Sequence, residues 1–166
     1  MCRIIGIDPG LANTGFGIID ESNGKIRLVS YGVIETSANE EHAFRLLKIH
    51  EGILRVIEEF SPNESAMEDL YFGKNASSAI VVAEAKGVAT FTLASRALAP
   101  KIYRPNEIKK SVTGTQNSPK ETVEQYVALL LGLSKKPKPD HAADALAVAI
   151  THINSKKGKS AIKTVK

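Results

Sequence analysis

Residues 2–10 read Cys-Arg-Ile-Ile-Gly-Ile-Asp-Pro-Gly. Ile4, Ile5 and Ile7 make this a buried, β-branched strand, and Pro9-Gly10 ends it in a turn. Asp8 is thereby carried to the end of an otherwise apolar strand. A carboxylate there needs a partner or a cation, because desolvating a lone charge is costly. Two readings stand at this point: a turn-forming Asp bonded to local amides, or a ligand.

Working outward, Gly15–Asp20 is a second short strand, and Asn23-Gly24 is the favoured pair for a tight hairpin. Lys25–Ile34 alternates as a third strand, so the chain opens with an antiparallel meander. Ser37 or Asn39 can cap a helix reaching Phe60, with Ala43, Leu46, Leu47, Leu54 and Ile57 on one stripe and Pro62 beyond its end. Ser65–Leu70 is a strand that delivers Glu68 and Asp69. Ser77–Leu98 is a helix crowded with small residues and stopped by Pro100. A brief strand, Lys101–Tyr103, precedes helices over Pro105–Val112, Lys120–Leu131 and His141–Ser155. This order predicts an α/β layer: a mixed sheet with an antiparallel edge and later strands joined by helical crossovers.

The chain has 166 residues, 43% hydrophobic and 24% charged, which suits one folded domain rather than a disordered chain. One cysteine, Cys2, excludes an internal disulfide and a multi-cysteine zinc site. Apolar runs such as Ala145–Ile150 are far shorter than a bilayer span, and no secretory leader opens the chain, so a cytoplasmic protein is expected. The net charge of +4 is unevenly placed: beyond Asp144 there is no acidic residue, while Lys156, Lys157, Lys159, Lys163 and Lys166 follow. Residues 1–154 are read as one domain, and 155–166 as a basic, disordered tail.

Further acidic groups sit at element ends. Glu68 comes from a strand with apolar neighbours Ala66 and Met67; its plain alternative is an edge glutamate paired with a lysine. The last helix offers Asp140, His141 and Asp144, whose spacing allows Asp144 to share a face with either of the other two. Asp140 is read as the N-cap, and His152 as a partly exposed histidine at the helix end, favourable against the dipole. Hard oxygen donors with one histidine and no cysteines suit Mg²⁺ or Mn²⁺. Paired ions of that kind serve phosphoryl displacement, and the lysines are available for a phosphate backbone.

Ile5-Gly6-Ile7-Asp8-Pro9-Gly10 with Thr14-Gly15, Met67-Glu68 with Lys74-Asn75, and Ala142-Ala143-Asp144-Ala145-Leu146-Ala147 resemble, in order, the RuvC family of Holliday junction resolvases. The likeness runs from about Arg3 to His152. It implies a ribonuclease H-like fold with a mixed five-stranded sheet, three antiparallel strands then two parallel, flanked by helices. It also implies a homodimer that nicks two opposing strands of a four-way DNA junction, leaving ligatable 5′-phosphate ends, in recombination and repair.

Carried over by position, the resemblance makes Asp8, Glu68, His141 and Asp144 the catalytic, metal-binding set, with two Mg²⁺ ions per site and Mn²⁺ able to substitute. His141 stands where many members carry Asp and some carry His. Tyr71 falls where the family places an aromatic near the junction centre, and Phe72 beside it either does the same or belongs to the core. Lys74, Asn75, Lys109 and Lys120 are implied DNA contacts, and a branch-migration complex of the RuvA–RuvB kind is an implied partner. Two rivals stand beside this reading. One is a non-catalytic junction-binding protein; the other is an actin-like nucleotide phosphotransferase, which would need a second lobe that 166 residues do not supply.

Overall fold

In the computed structural model, which describes residues 1–69 and 76–163 with side chains at 1–69 and 79–156, the first strand becomes the middle of the sheet. Strand β1 (Cys2–Asp8) pairs antiparallel with β2 (Asn13–Ser22), which pairs antiparallel with β3 (Lys25–Glu35). On its other side β1 pairs in parallel with β4 (Glu64–Glu68), which pairs in parallel with β5 (Lys101–Tyr103). The order β3-β2-β1-β4-β5 is the mixed five-stranded sheet expected from the sequence. Asn23 and Gly24 have φ of 51° and 80°, the left-handed pair that a two-residue hairpin requires.

Strand alternation divides the interior into two layers. Ile5, Ile7, Ile18 and Met67 point toward α1 (His42–Phe60) and α2 (Ala76–Ser95). Ile4, Ile19 and Ala66 point toward α3 (Pro105–Thr113), α4 (Lys120–Leu130) and α5 (Asp140–Lys163). Ala142, Ala143 and Ala145 through Ile150 of α5 are all buried, so this part of the helix runs inside the protein, with Asp144 its one partly exposed residue. It fits there because the sheet beneath it is nearly bare. A Cβ on Gly6, Gly15 or Gly17 would collide with the α5 backbone or with Leu146.

Three local expectations are corrected. Helix α1 starts at His42 with no side-chain cap, because Ser37 and Glu40 instead close a turn on each other. Its buried residues are Ile49, Ile53, Val56 and Ile57, while Leu47 is exposed and Ala43 lies on the outside. The last helix does not stop at Ser155 but continues to Lys163, so the break expected at residue 155 is not a helix end. No helix among the described residues is long and apolar enough to cross a membrane.

At the far end of the sheet from Asp8, Arg3 grips Asp20 with two hydrogen bonds of 2.8 and 3.0 Å, and its third nitrogen donates to the Phe60 carbonyl. The Arg3 bond holds the Asp20 carboxyl below its ordinary range, against the opposing effect of burial. Asp20→Asn is therefore expected to cost about 1.5–3 kcal/mol in urea unfolding at pH 7. The Asp20 contribution is present above the unfolded carboxylate pKa and is lost as pH falls through the lower folded value. The variant and wild type should thus converge toward pH 2–3, on the acid side of the ordinary pKa of about 3.9.

Candidate metal centre

Asp8 follows Ile4 and Gly6 in alternation, so it faces α5 at the C-terminal end of β1. Its cross-strand partner is Gly15, whose missing side chain leaves room for the first turn of α5. That turn brings His141 Nδ1 to 2.7 Å from Asp8 Oδ2. Asp144, one turn further on, completes a group in which Asp8, His141 and Asp144 each present a ligand atom within 4.8 Å of the others. Among the described residues this is the one such grouping. Glu68 ends the neighbouring parallel strand on the same face. With Asp144, Lys109 and Lys120 it lines a cavity of about 230 Å³.

The electrostatics show how strained this concentration of acids is. Burial first, then the Asp8 and Asp144 charges, push the Glu68 carboxyl up to about 8, although Lys120 and Lys109 partly offset them. Burial also raises Asp144, despite its 2.8 Å bond from Lys120 Nζ. His141 is raised, chiefly by its bond to Asp8. Lys120 therefore serves as a built-in counter-cation, and burial lowers its own affinity for a proton less than Asp144 and its acidic neighbours raise it. Carboxylate oxygens with one imidazole, crowded enough to drive one carboxyl toward neutrality, are a donor set that a divalent cation would satisfy.

Glu68 has its folded pKa raised, so its contribution to the metal-free protein is present below about 4.3, the ordinary Glu value, and is lost as pH rises through about 8. The melting temperature of the metal-free protein should fall across that window. Saturating divalent cation should flatten the slope, as differential scanning calorimetry at pH 5, 6.5 and 8 would show. An equal slope with and without cation would place Glu68 outside the cation's reach.

The structure brings together four residues singled out in the sequence, Asp8, Glu68, His141 and Asp144, and sets Lys109 and Lys120 at their rim. Tyr71, Phe72, Lys74 and Asn75 lie outside the described residues. Asp140, expected as the N-cap, is the first helical residue; its carboxylate takes Lys138 at 2.6 Å and stays out of the metal-competent group. His152 is not at a helix end. It sits between Tyr103 Oη at 2.9 Å and Glu64 Oε2 at 2.8 Å, 16 Å or so along the helix from His141 at 1.5 Å per residue. The Lys120 contact with Asp144 was not legible in sequence spacing, since 24 residues separate them.

The family described as crossover junction endodeoxyribonuclease RuvC matches residues 4–152. The chain is 50% identical over 151 residues to the crossover junction endodeoxyribonuclease RuvC of Treponema denticola, covering 91% of this chain and 85% of that one. It is 42% identical over 150 residues to the corresponding protein of Chloroflexus aurantiacus, covering 90% and 92%. Among solved structures, Thermus thermophilus RuvC in complex with a Holliday junction substrate superposes with a TM-score of 0.91 at 31% identity, covering 96% of this chain and 97% of that one. A ribonuclease H-like sheet with acids at the ends of β1 and β4 and on α5, matched along nearly its whole length, places this chain in the crossover junction endodeoxyribonuclease RuvC family.

Proposed function

We propose that the protein is a structure-selective endonuclease that resolves four-way DNA junctions by paired, symmetric, metal-dependent nicks. The observation that carries this reading is the convergence of Asp8, His141 and Asp144 within 4.8 Å of one another, beside Glu68, in a chain of this family. All four positions hold competent ligands together, which disfavours a non-catalytic binder. The family match over residues 4–152 disfavours an actin-like nucleotide phosphotransferase.

In this reading Asp8, Glu68, His141 and Asp144 would hold two Mg²⁺ ions, with Mn²⁺ as a substitute. Bound there, the ions stabilise charge on the attacking and leaving oxygens of the phosphodiester. The chain's own residues prepare for this in three ways. His141 must give up a proton before its imidazole can serve as a ligand, and its bond to Asp8 fixes the ring meanwhile. Lys120, paired with Asp144 at 2.8 Å, would be free for a phosphate oxygen where a cation took over that carboxylate. Lys109 lines the same cavity and is available for a second backbone contact. Tyr71 and Phe72 supply stacking surface for bases at the junction centre, and Lys74 and Asn75 further contacts.

The products are 5′-phosphate and 3′-hydroxyl ends. A two-fold junction calls for a homodimer, for which α2 is suited: its outer face exposes Ile80 and Phe91 amid small residues. Residues 1–154 form the nuclease domain, and a branch-migration complex of the RuvA–RuvB kind is the proposed partner. The test is nicking of a synthetic four-way junction against a linear duplex of the same sequence in Mg²⁺. Paired, ligatable nicks on the junction alone support the reading; binding without nicking in either Mg²⁺ or Mn²⁺ overturns it.

The His141 ligand adds a pH prediction. Its bond to Asp8 raises the imidazole pKa above the ordinary 6.5 or so, so protonation competes with the cation at mildly acid pH. At pH 5.5 and subsaturating Mg²⁺ the wild type should keep about a tenth or less of its plateau rate. His141→Asp, whose carboxyl titrates near 3.9, should keep several times more of its own plateau. Superimposable acid limbs for the two proteins would remove His141 from the ligand set.

A further inference from the structure

Helix α2 is a run of small and apolar residues from Ala76 to Ser95 with a single basic side chain, Lys86. That lysine is only 19% exposed, and on either side of it Ala85 and Ala89 are fully buried. A half-buried lysine on such a helix needs a strong reason, because burial disfavours its charge. The reason visible here is Asp69: Lys86 Nζ lies 2.5 Å from Asp69 Oδ1.

Asp69 directly follows Glu68. Since Ala66 packs on the α5 side and Met67 on the α1/α2 side, alternation sends Glu68 to the metal centre and Asp69 to the reverse face, where Lys86 waits. The Asp69 backbone N–H also donates to the Tyr103 carbonyl at 2.7 Å, tying the same peptide to β5. Thr90, one turn beyond Lys86, donates to the Lys86 carbonyl and touches Met67 Sδ at 3.9 Å, so the strand end and the helix are joined at two points. Glu68 meanwhile is repelled by Asp8 and Asp144 and would relieve that repulsion by swinging away from them.

We infer that Lys86 is a positioning residue for Glu68: through Asp69, it anchors the end of β4 from behind and holds the Glu68 carboxylate at the cation site. The inference rests on the nuclease reading above for the role of Glu68. It gives α2, the helix proposed for the dimer contact, a direct mechanical link to the metal centre. Outer-sphere partners of this kind tune metal affinity by about 10–100-fold.

The test is a calorimetric Mn²⁺ titration of the DNA-free protein, alongside the Mg²⁺ dependence of junction cleavage. Lys86→Met should weaken Mn²⁺ binding about tenfold or more and raise the half-saturating Mg²⁺ concentration in parallel. Lys86→Arg should restore both to within a few fold. Asp69→Asn should reproduce the Lys86→Met effect, and the double variant should add little to it. Unchanged Mn²⁺ affinity in Lys86→Met, with only the melting temperature lowered, would make the pair a simple structural tie and overturn the inference. Weakened junction binding with unchanged Mn²⁺ affinity would overturn it too, by making Lys86 a phosphate contact. Failure of the wild type to nick junctions would sink the nuclease reading, whereas the Mn²⁺ titration needs no nucleic acid and judges the inference separately.

Discussion

Asp8→Asn is expected to lower the single-turnover rate of junction nicking by roughly 10³–10⁶-fold, the range seen when one member of a catalytic unit is removed. Asp8 is the residue on which the site converges. It bonds His141 at 2.7 Å, adds to the field that raises Glu68, and belongs to the group that can hold a metal. Asparagine keeps the shape and an oxygen acceptor for His141 but removes the charge a cation requires. The fold should not suffer, because the substitution relieves repulsion among Asp8, Glu68 and Asp144; the metal-free variant should melt at the same temperature or higher. Junction binding in Ca²⁺, used to suppress cleavage, should be equal or tighter, since one negative charge has left the surface facing the phosphates. A rate within tenfold of wild type would remove Asp8 from the catalytic set, whatever the other variants do.

Much of this arrangement was legible in the sequence because it rests on short-range signals. The β1–β3 meander follows from alternation and from Asn23-Gly24, whose positive φ values match what the turn chemistry asks for. The parallel placement of β4 and β5 follows from intervening helices, which only a crossover can accommodate. The misread elements share a different cause. Helix α1 carries two overlapping apolar stripes, and periodicity says nothing about where the sheet beneath a helix ends. Its first turns carry no buried residue, so Phe44 and Leu47 face outward, while burial begins at Ile49. From sequence alone α5 ends at Ser155, because its apolar pattern stops there. Yet Tyr103 holds Ser155 and His152, and Glu64 holds His152 and Lys156, which secures the helix through a stretch that lacks a core face. At the site, Asp8, Glu68, His141 and Asp144 are named by the family resemblance, but the counter-charge of Lys120 on Asp144 belongs to three-dimensional packing that no spacing rule encodes.

The glycines of the sheet were the least legible feature and lead to the other large effect: Gly15→Ala should cost about 3 kcal/mol or more in stability and at least about a hundredfold in cleavage rate. A Cβ at Gly15 would lie well inside 3.0 Å of the His141 carbonyl oxygen, and 2.5 Å from the His141 carbonyl carbon. These are backbone atoms of a helix whose next residues, Ala142 and Ala143, are buried, so no flexible side chain can swing aside, and α5 itself must move. Moving it displaces His141 and Asp144 together relative to Asp8 on the opposite strand, and a misplacement of about 1 Å is enough to lose two orders of magnitude in rate. Gly6 and Gly17 face other turns of the same helix and would push it in the same direction. The control is Gly87→Ala on α2, where the added methyl meets nothing within 4 Å among the described residues. There the gain in helix propensity should leave the folding stability unchanged or raise it by about 0.5–1 kcal/mol. Urea unfolding of both variants and single-turnover nicking by Gly15→Ala separate the outcomes. Should Gly15→Ala unfold like wild type and cut at its rate, the close seating of α5 on β2 would not be what sets the ligand geometry.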